Sequence, residues 1–246
     1  MTESASASVA TPPAKSSFWE ALIDIFFSPA SVFRRWQFRS AWPPMLFVAI
    51  ATGVIVALTF NTIEPVFDAE IARQTAQQAK ASGQTVTPEA IALGQKIGIA
   101  VAKYGISIAT LISMFIVGSA AYLVGLLFKL KQTYQAALVV AGWAYMPRLL
   151  GILANAIQGL AMDVTQMKSV QALSLGPARF FDPETTNPLL FQVLGRLDLM
   201  IVWETVLLAV GLYVTGKVSK SNAALFGVAI WFVGGLWVFR QGYLAM

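Results

Sequence analysis

Hydrophobic residues along this chain are concentrated in five long runs, each separated from the next by a polar segment. Each run is long enough for an α-helix to cross the hydrocarbon core of a bilayer, which is roughly 30 Å thick. The runs cover residues 42–60, 105–128, 133–160, 194–215 and 223–239. This pattern predicts an all-α integral membrane protein, a bundle of five transmembrane helices.

Two short helices are predicted before the first run, over residues 17–40. Ser17-Phe18-Trp19-Glu20 matches a capping box, and Ser28-Pro29 begins a second helix with proline in its first turn. Both are too short and too charged to span, so they form an amphipathic element that either lies on the membrane surface or docks on the bundle as a lid. The candidate membrane-surface contacts are Arg34, Arg35, Arg39 and Trp36.

The remaining segments are polar. Residues 1–16 are mostly Ser, Ala, Thr and Pro, and are predicted to form a disordered tail. The five-span domain, residues 41–246, has two extracytoplasmic excursions at about 61–96 and 161–187. The first contains a break at Ser82-Gly83 and a new helix start at Thr87-Pro88, and the second ends in the start signals Asp182-Pro183 and Asn187-Pro188.

The amino-acid composition restricts the classes of function that this chain can have. The chain of 246 residues is 57% hydrophobic and 12% charged, against about 25% charged in soluble domains, and leaves no room for a separate enzyme domain. Cysteine and histidine are absent, which removes disulfides, thiol nucleophiles, imidazole bases and the usual ligands of zinc and haem. We therefore predict no enzyme, no catalytic residue, no metal and no cofactor. The net charge of +5 is assigned to orientation and anionic lipid rather than to nucleic acid.

Basic residues also predict the orientation. The side that carries the N-terminus receives eight basic and three acidic residues, whereas the other side receives eight of each. The short connections at 129–131 and 217–220 hold only basic charges, and short loops are where the positive-inside rule applies best. We expect a protein of the cell inner membrane with a cytoplasmic N-terminus and an extracytoplasmic C-terminus.

Arg148 and Glu204 are the two charged residues deepest in apolar runs. The third and fourth runs are antiparallel, and at about 1.5 Å per residue the two side chains lie at nearly equal depth, so they can pair. Tyr145 and Asn155 share the helix face of Arg148, and Pro147 predicts a kink beside that face.

Two interpretations of this pair stay open. In the first, an Arg148–Glu204 bridge orders the bundle, with Asn155, Tyr145 or the carbonyl of Trp143 accepting or covering the remaining arginine donors. In the second, the residues form a polar cavity that passes a proton, an ion or a lipid headgroup, with Glu204 as the titratable member.

Two short motifs stand out: Ser28-Pro29-Ala30-Ser31-Val32-Phe33 before the first span and Tyr145-Met146-Pro147-Arg148-Leu149-Leu150 in the third. Together with the five spans, they resemble the Ypt-interacting-protein (Yip) domain family, specifically its bacterial branch. The resemblance covers about residues 18–239 and implies five spans with a cytoplasmic N-terminus. Eukaryotic members bind Rab-type GTPases and help shape or traffic membranes, whereas bacterial members have no generally assigned activity. This chain has Phe26-Phe27-Ser28-Pro29 in place of the eukaryotic Asp-Leu-Tyr-Gly-Pro signature, so Rab binding is not carried over.

The functional expectation is a non-enzymatic membrane organiser or adaptor. Its N-terminal element would bind a protein partner at the cytoplasmic face or anionic lipid. The alternative is a small transporter, channel or lipid-translocating protein that uses the Arg148/Glu204 site. A role as a subunit of a larger complex or as a homo-oligomer also stays open, because small residues recur on the spans.

Overall fold

The structure is a computed structural model that describes residues 17–83, 87–127, 130–163 and 167–246. Within these ranges the regular structure is helical and contains no strand. The α-helices are α1 Phe18–Phe27, α2 Pro29–Trp36, α3 Trp42–Ser82, α4 Pro88–Ala100, α5 Ile106–Leu127, α6 Tyr134–Ala144, α7 Met146–Ala161, α8 Pro188–Arg196, α9 Leu199–Gly216 and α10 Lys220–Leu244. A π-helix, Val101–Gly105, joins α4 to α5, and 3₁₀ helices cover Val170–Leu173 and Pro177–Phe180. The predicted tail, residues 1–16, lies outside the described residues.

Five segments of the described chain are long and apolar enough to cross a membrane. They are Trp42–Arg73, Pro88–Leu126, Tyr134–Ala161, Leu199–Gly216 and Lys220–Leu244. The prediction of an all-α protein with five spans is therefore confirmed.

The first two spans form a helical hairpin that is longer than a bilayer is thick. Helix α3 has 41 residues, which corresponds to about 60 Å of helix. It ends where Gly83 adopts a left-handed φ of 68°, and α4 begins after Thr87, whose hydroxyl accepts a hydrogen bond from the Ala90 amide at 3.3 Å. The predicted break and restart are thus confirmed, and much of the polar segment at 61–96 continues the helices of the two flanking spans.

Three of the other predicted helix starts are present and one is wrong. The Ser17 hydroxyl caps α1 by accepting from the Glu20 amide, and the Asn187 side chain caps α8. Pro29 opens α2, although the Ser28 side chain makes no capping bond. Asp182 starts no helix, because its side chain and its carbonyl instead accept from the amides of Glu184 and Thr186 in a turn.

The fourth span begins at Leu199 rather than at residue 194. The side chain of Asp198 accepts a hydrogen bond from the Met200 amide at 2.8 Å and so caps α9. This cap separates α9 from α8, which ends at Arg196. The apolar run at 194–215, which was predicted to form one span, is therefore divided between two helices.

Helices α1 and α2 dock into the bundle instead of lying only on its surface. The side chains of Ile25, Val32 and Phe33 are fully buried in the main hydrophobic core, together with Trp143 of α6 and Leu207 of α9. Of the two positions predicted for this element, the structure favours the docked lid.

The two ends of the bundle are distinct. Gln135 Nε2 donates to the Arg39 carbonyl at 2.7 Å, and Gln132 Nε2 donates to Thr215 Oγ1 at 2.9 Å. These bonds hold the end of α2, the start of α6 and the end of α9 together at one end, which we call the N-terminal face. The segment 167–187, with the two 3₁₀ helices, lies at the other end, which we call the opposite face.

Candidate functional site: a broken helix, an ion pair and a polar cavity

The third span is interrupted at Tyr145, between α6 and α7. Pro147 occupies the first turn of α7, where its missing amide hydrogen and its ring prevent a regular bond to the carbonyl of Trp143. The predicted kink is present as this interruption. It places Tyr145 in the core and turns Arg148 towards α9.

Arg148 and Glu204 meet across α7 and α9 in an ion pair in which Arg148 Nε donates to Glu204 Oε2. Their environments differ, because 6% of the Glu204 side chain is exposed against 37% of that of Arg148. The guanidinium carbon of Arg148 also lies 4.6 Å from the centre of the Tyr145 ring, a cation–π contact.

The exposed part of Arg148 lines a cavity of about 430 Å³. Helices α3, α5, α7, α8 and α9 contribute its walls, together with the 3₁₀ helix Val170–Leu173. Its polar lining residues are Thr52, Thr110, Ser113, Tyr145, Arg148, Asn155, Gln171, Ser174 and Asp198. The cavity therefore has a cationic group in one wall and neutral hydroxyl and amide groups in most of the others.

Asn155 fixes the cavity wall rather than serving Arg148. With its amide oriented so that nitrogen faces the carbonyls, Asn155 Nδ2 donates to the carbonyls of Leu173 at 2.5 Å and Gly151 at 3.1 Å. Gln158 Nε2 donates to the same Leu173 carbonyl at 3.1 Å. Two side chains of α7 thus hold the loop of the opposite face over the cavity.

Asp198 fixes the same loop from the other side. One carboxylate oxygen caps α9, and the other accepts a hydrogen bond from the Leu175 amide at 2.8 Å. Both oxygens are engaged by backbone amides, so the Asp198 carboxylate is held in place in the cavity lining. Nothing in this arrangement places two carboxylates on a common reacting atom.

Sequence reasoning missed several of the lining residues. Thr110 and Ser113 lie on one helical strip with Ser107, and this strip was a signal that a polar surface faces the bundle. Gln171 and Ser174 belong to an irregular segment without periodicity, so no pattern points to them. Thr52 is 1% exposed and its hydroxyl has no hydrogen-bond partner among the described residues.

The four predicted membrane-surface contacts have different surroundings. Trp36 is 4% exposed, and its ring lies 5.0 Å from that of Trp143, so it packs in the core and not on a membrane surface. Arg35 pairs with Asp24 of α1, and the Arg39 guanidinium lies 5.0 Å from the Trp36 ring. The Arg34 side chain is exposed, and within the described residues it makes no ion pair.

Comparison with known proteins gave one family and one curated relative. The family model described as the Yip1 domain matches residues 23–239. Membrane protein YknW of Bacillus subtilis (strain 168) is 27% identical over 218 residues, which cover 86% of this chain and 87% of that protein. No solved structure matches the chain.

Proposed function

The chain belongs to the Yip1 domain family of multi-pass membrane proteins, and from this premise we propose that it is a non-enzymatic membrane organiser or adaptor. The N-terminal face is cytoplasmic and the protein resides in the inner membrane. Its docked element, α1 and α2, presents a surface at which a protein partner or anionic lipid binds.

The observation that carries the proposal is the double-sided character of α1. Ala21 and Ile25 bury one side of the helix in the core. Trp19, Ile23 and Phe27, four residues apart, are 66%, 63% and 82% exposed and form what we call the α1 stripe. A helix anchored by one side holds the other side in a fixed position, which suits a docking surface.

The test is the loss of a partner at the α1 stripe. A photoreactive amino acid replaces Ile23, and irradiation of native membranes crosslinks it to any bound partner. The crosslinked products are then compared with those of a variant that also carries Trp19→Ser and Phe27→Ser. The matched control is Leu93→Ser/Val101→Ser, with the crosslinker still at position 23. Those two residues are 59% and 55% exposed and flank Ile97 on another apolar stripe.

We expect a discrete protein adduct that disappears with the α1 changes and persists with the control. An adduct of equal intensity in both variants would contradict partner binding through the α1 stripe. Deleting residues 17–40 is not a clean test, because it would also remove Ile25, Val32 and Phe33 from the core.

A second function, passage of an ion or lipid headgroup, is favoured by the cavity beside Arg148. Its lining is polar, and 37% of the Arg148 side chain is exposed. This function predicts pH-dependent flux in proteoliposomes that Glu204→Gln abolishes while the bundle stays folded. Flux that is absent from the wild type, or equal in the two proteins, would remove this candidate.

A further inference from the structure

A second concave surface lies on the outside of the bundle, between the end of α1, α2, α9 and α10. It is a groove of about 1070 Å³, separate from the Arg148 cavity. Most of its walls are small or branched apolar residues. These include Val202, Val206, Ala209, Val210, Ala224 and Val228.

The two ends of the groove differ in their residues. Trp231 of α10 lines one end, and Arg34 and Lys220 line the end at the N-terminal face. Lys220 and Trp231 are eleven residues apart on α10, which corresponds to about 16 Å. The hydrocarbon core of one leaflet is about 15 Å thick, half of roughly 30 Å, so the groove matches the depth of one leaflet.

The end of the groove at the N-terminal face is positively charged. Arg34 and Lys220 are both exposed, and neither makes an ion pair within the described part of the chain. No acidic side chain is found among the residues described as lining the groove. Lys220 is also the first residue of α10, whose first turn has no acidic residue, so the helix dipole adds to the positive potential there.

We propose that this groove binds one anionic phospholipid, with its phosphate at Arg34 and Lys220 and one acyl chain along α9 and α10. An acyl chain suits the apolar walls, and a negative headgroup is attracted to the two basic side chains. A zwitterionic headgroup carries its own cation and therefore neutralises these two residues less well.

The proposal rests on the membrane-organising role and names the lipid class that this role would use. It does not depend on the protein partner of the α1 stripe. Phe27 lines both surfaces, whereas Trp19 belongs only to the α1 stripe. Changes at Arg34 and Lys220 should leave the adduct at position 23 intact, and Trp19→Ser alone should leave lipid binding intact. The two proposals can therefore fail separately.

The first experiment measures lipid affinity by native mass spectrometry of the full-length protein. Phosphatidylglycerol and phosphatidylcholine with identical acyl chains are titrated separately. We expect tighter binding of phosphatidylglycerol, and a loss of about 25-fold in Arg34→Gln/Lys220→Gln, on the basis of about fivefold for each basic residue. The control Lys131→Gln/Lys217→Gln removes the same charge from two exposed residues that do not line the groove.

The second experiment blocks the acyl chain. Ala224 is exposed in the groove, so Ala224→Trp fills it without entering the core, whereas Leu225→Trp places the same ring outside it. We expect only Ala224→Trp to weaken phosphatidylglycerol binding. Equal affinity for the two lipids, or equal effects of the charge variant and its control or of the two tryptophan variants, would overturn the proposal.

A second copy of the chain is the other occupant to test. Because the chain has no cysteine, Val206→Cys introduces a single thiol in the groove wall. A disulfide dimer that forms through this residue in native membranes and is lost in Ala224→Trp would assign the groove to a second copy and overturn lipid binding.

Discussion

At the scale of single residues, the ion pair of α7 and α9 joins two groups in unequal surroundings. Glu204 is enclosed by protein, whereas part of Arg148 faces the cavity. A cation in a polar cavity can be solvated after its partner is lost, but an enclosed carboxylate cannot. Single substitutions of Arg148 and of Glu204 should therefore lower the free energy of unfolding by different amounts.

We predict that Arg148→Met lowers the free energy of unfolding by about 3–5 kcal/mol, because it leaves Glu204 buried without a cation. Glu204→Gln keeps a hydrogen-bond acceptor and should cost less, about 1–3 kcal/mol. Thermal unfolding in the same detergent measures both. Equal losses would contradict the asymmetry. For the same reason, the exchange Arg148→Glu/Glu204→Arg should restore only part of the stability.

Part of this site could be predicted from the sequence. Two antiparallel spans place Arg148 and Glu204 at similar depths, and two charges in apolar runs each need a partner. The cavity could not be predicted, because Gln171, Ser174 and Asp198 reach it from connections whose path depends on the whole bundle. The role of Asn155 was also unpredictable, since its acceptor is a loop carbonyl.

At the scale of elements, α1 and α2 each contain a phenylalanine, and the two side chains have opposite environments. Phe33 is fully buried, and Phe27 is 82% exposed. We predict that Phe33→Ala lowers the free energy of unfolding by about 3–5 kcal/mol, because it leaves a cavity in the core, whereas Phe27→Ala changes it by less than about 0.5 kcal/mol. Unfolding of the two variants under identical conditions checks this. Similar values would mean that the element does not dock.

Close approach of α6 and α9 depends on Gly211. A Cβ atom added there would lie 2.3 Å from Val140 Cγ1, and at Gly94 it would meet only Thr75 Oγ1 at 3.4 Å. We predict that Gly211→Ala lowers the free energy of unfolding by about 1–3 kcal/mol, because the added methyl group overpacks the contact between the helices. Gly94→Ala, inside α4, should leave the free energy of unfolding unchanged or raise it. Thermal unfolding separates the two, and a stabilised Gly211→Ala would contradict the packing of α6 on α9.

Element boundaries were predictable only where a local signal marks them. Capping residues and prolines located the starts of α1, α4 and α8. The end of an apolar run, by contrast, indicates where the chain leaves the membrane and does not indicate where the helix ends. Helix α3 continues past residue 60 because the following residues are rich in Ala, Gln and Glu, which favour helices in water. The burial of Trp36 was missed because an apolar face does not reveal what covers it.

At the scale of the whole molecule, the basic connections predict that the N-terminal face is cytoplasmic. Because the chain has no cysteine, single thiols at Lys131 and Phe180 report the two ends. We predict that a membrane-impermeant maleimide labels Phe180→Cys in spheroplasts and labels Lys131→Cys only after lysis. Phe180 is 81% exposed, so its thiol is accessible to the reagent. The reverse pattern would invert the topology.

The docking of α2 on α9 also has a consequence for biogenesis. About 180 residues lie between the end of α2 and the end of α9, so at about 5–20 residues per second α2 leaves the ribosome about 9–36 s before α9 is complete. During this delay the apolar face of α2 lacks one of its main contacts. The earliest helices to be synthesised are thus among the last to reach their final positions, and nascent chains stalled before α9 should expose Phe33 to proteases and chaperones.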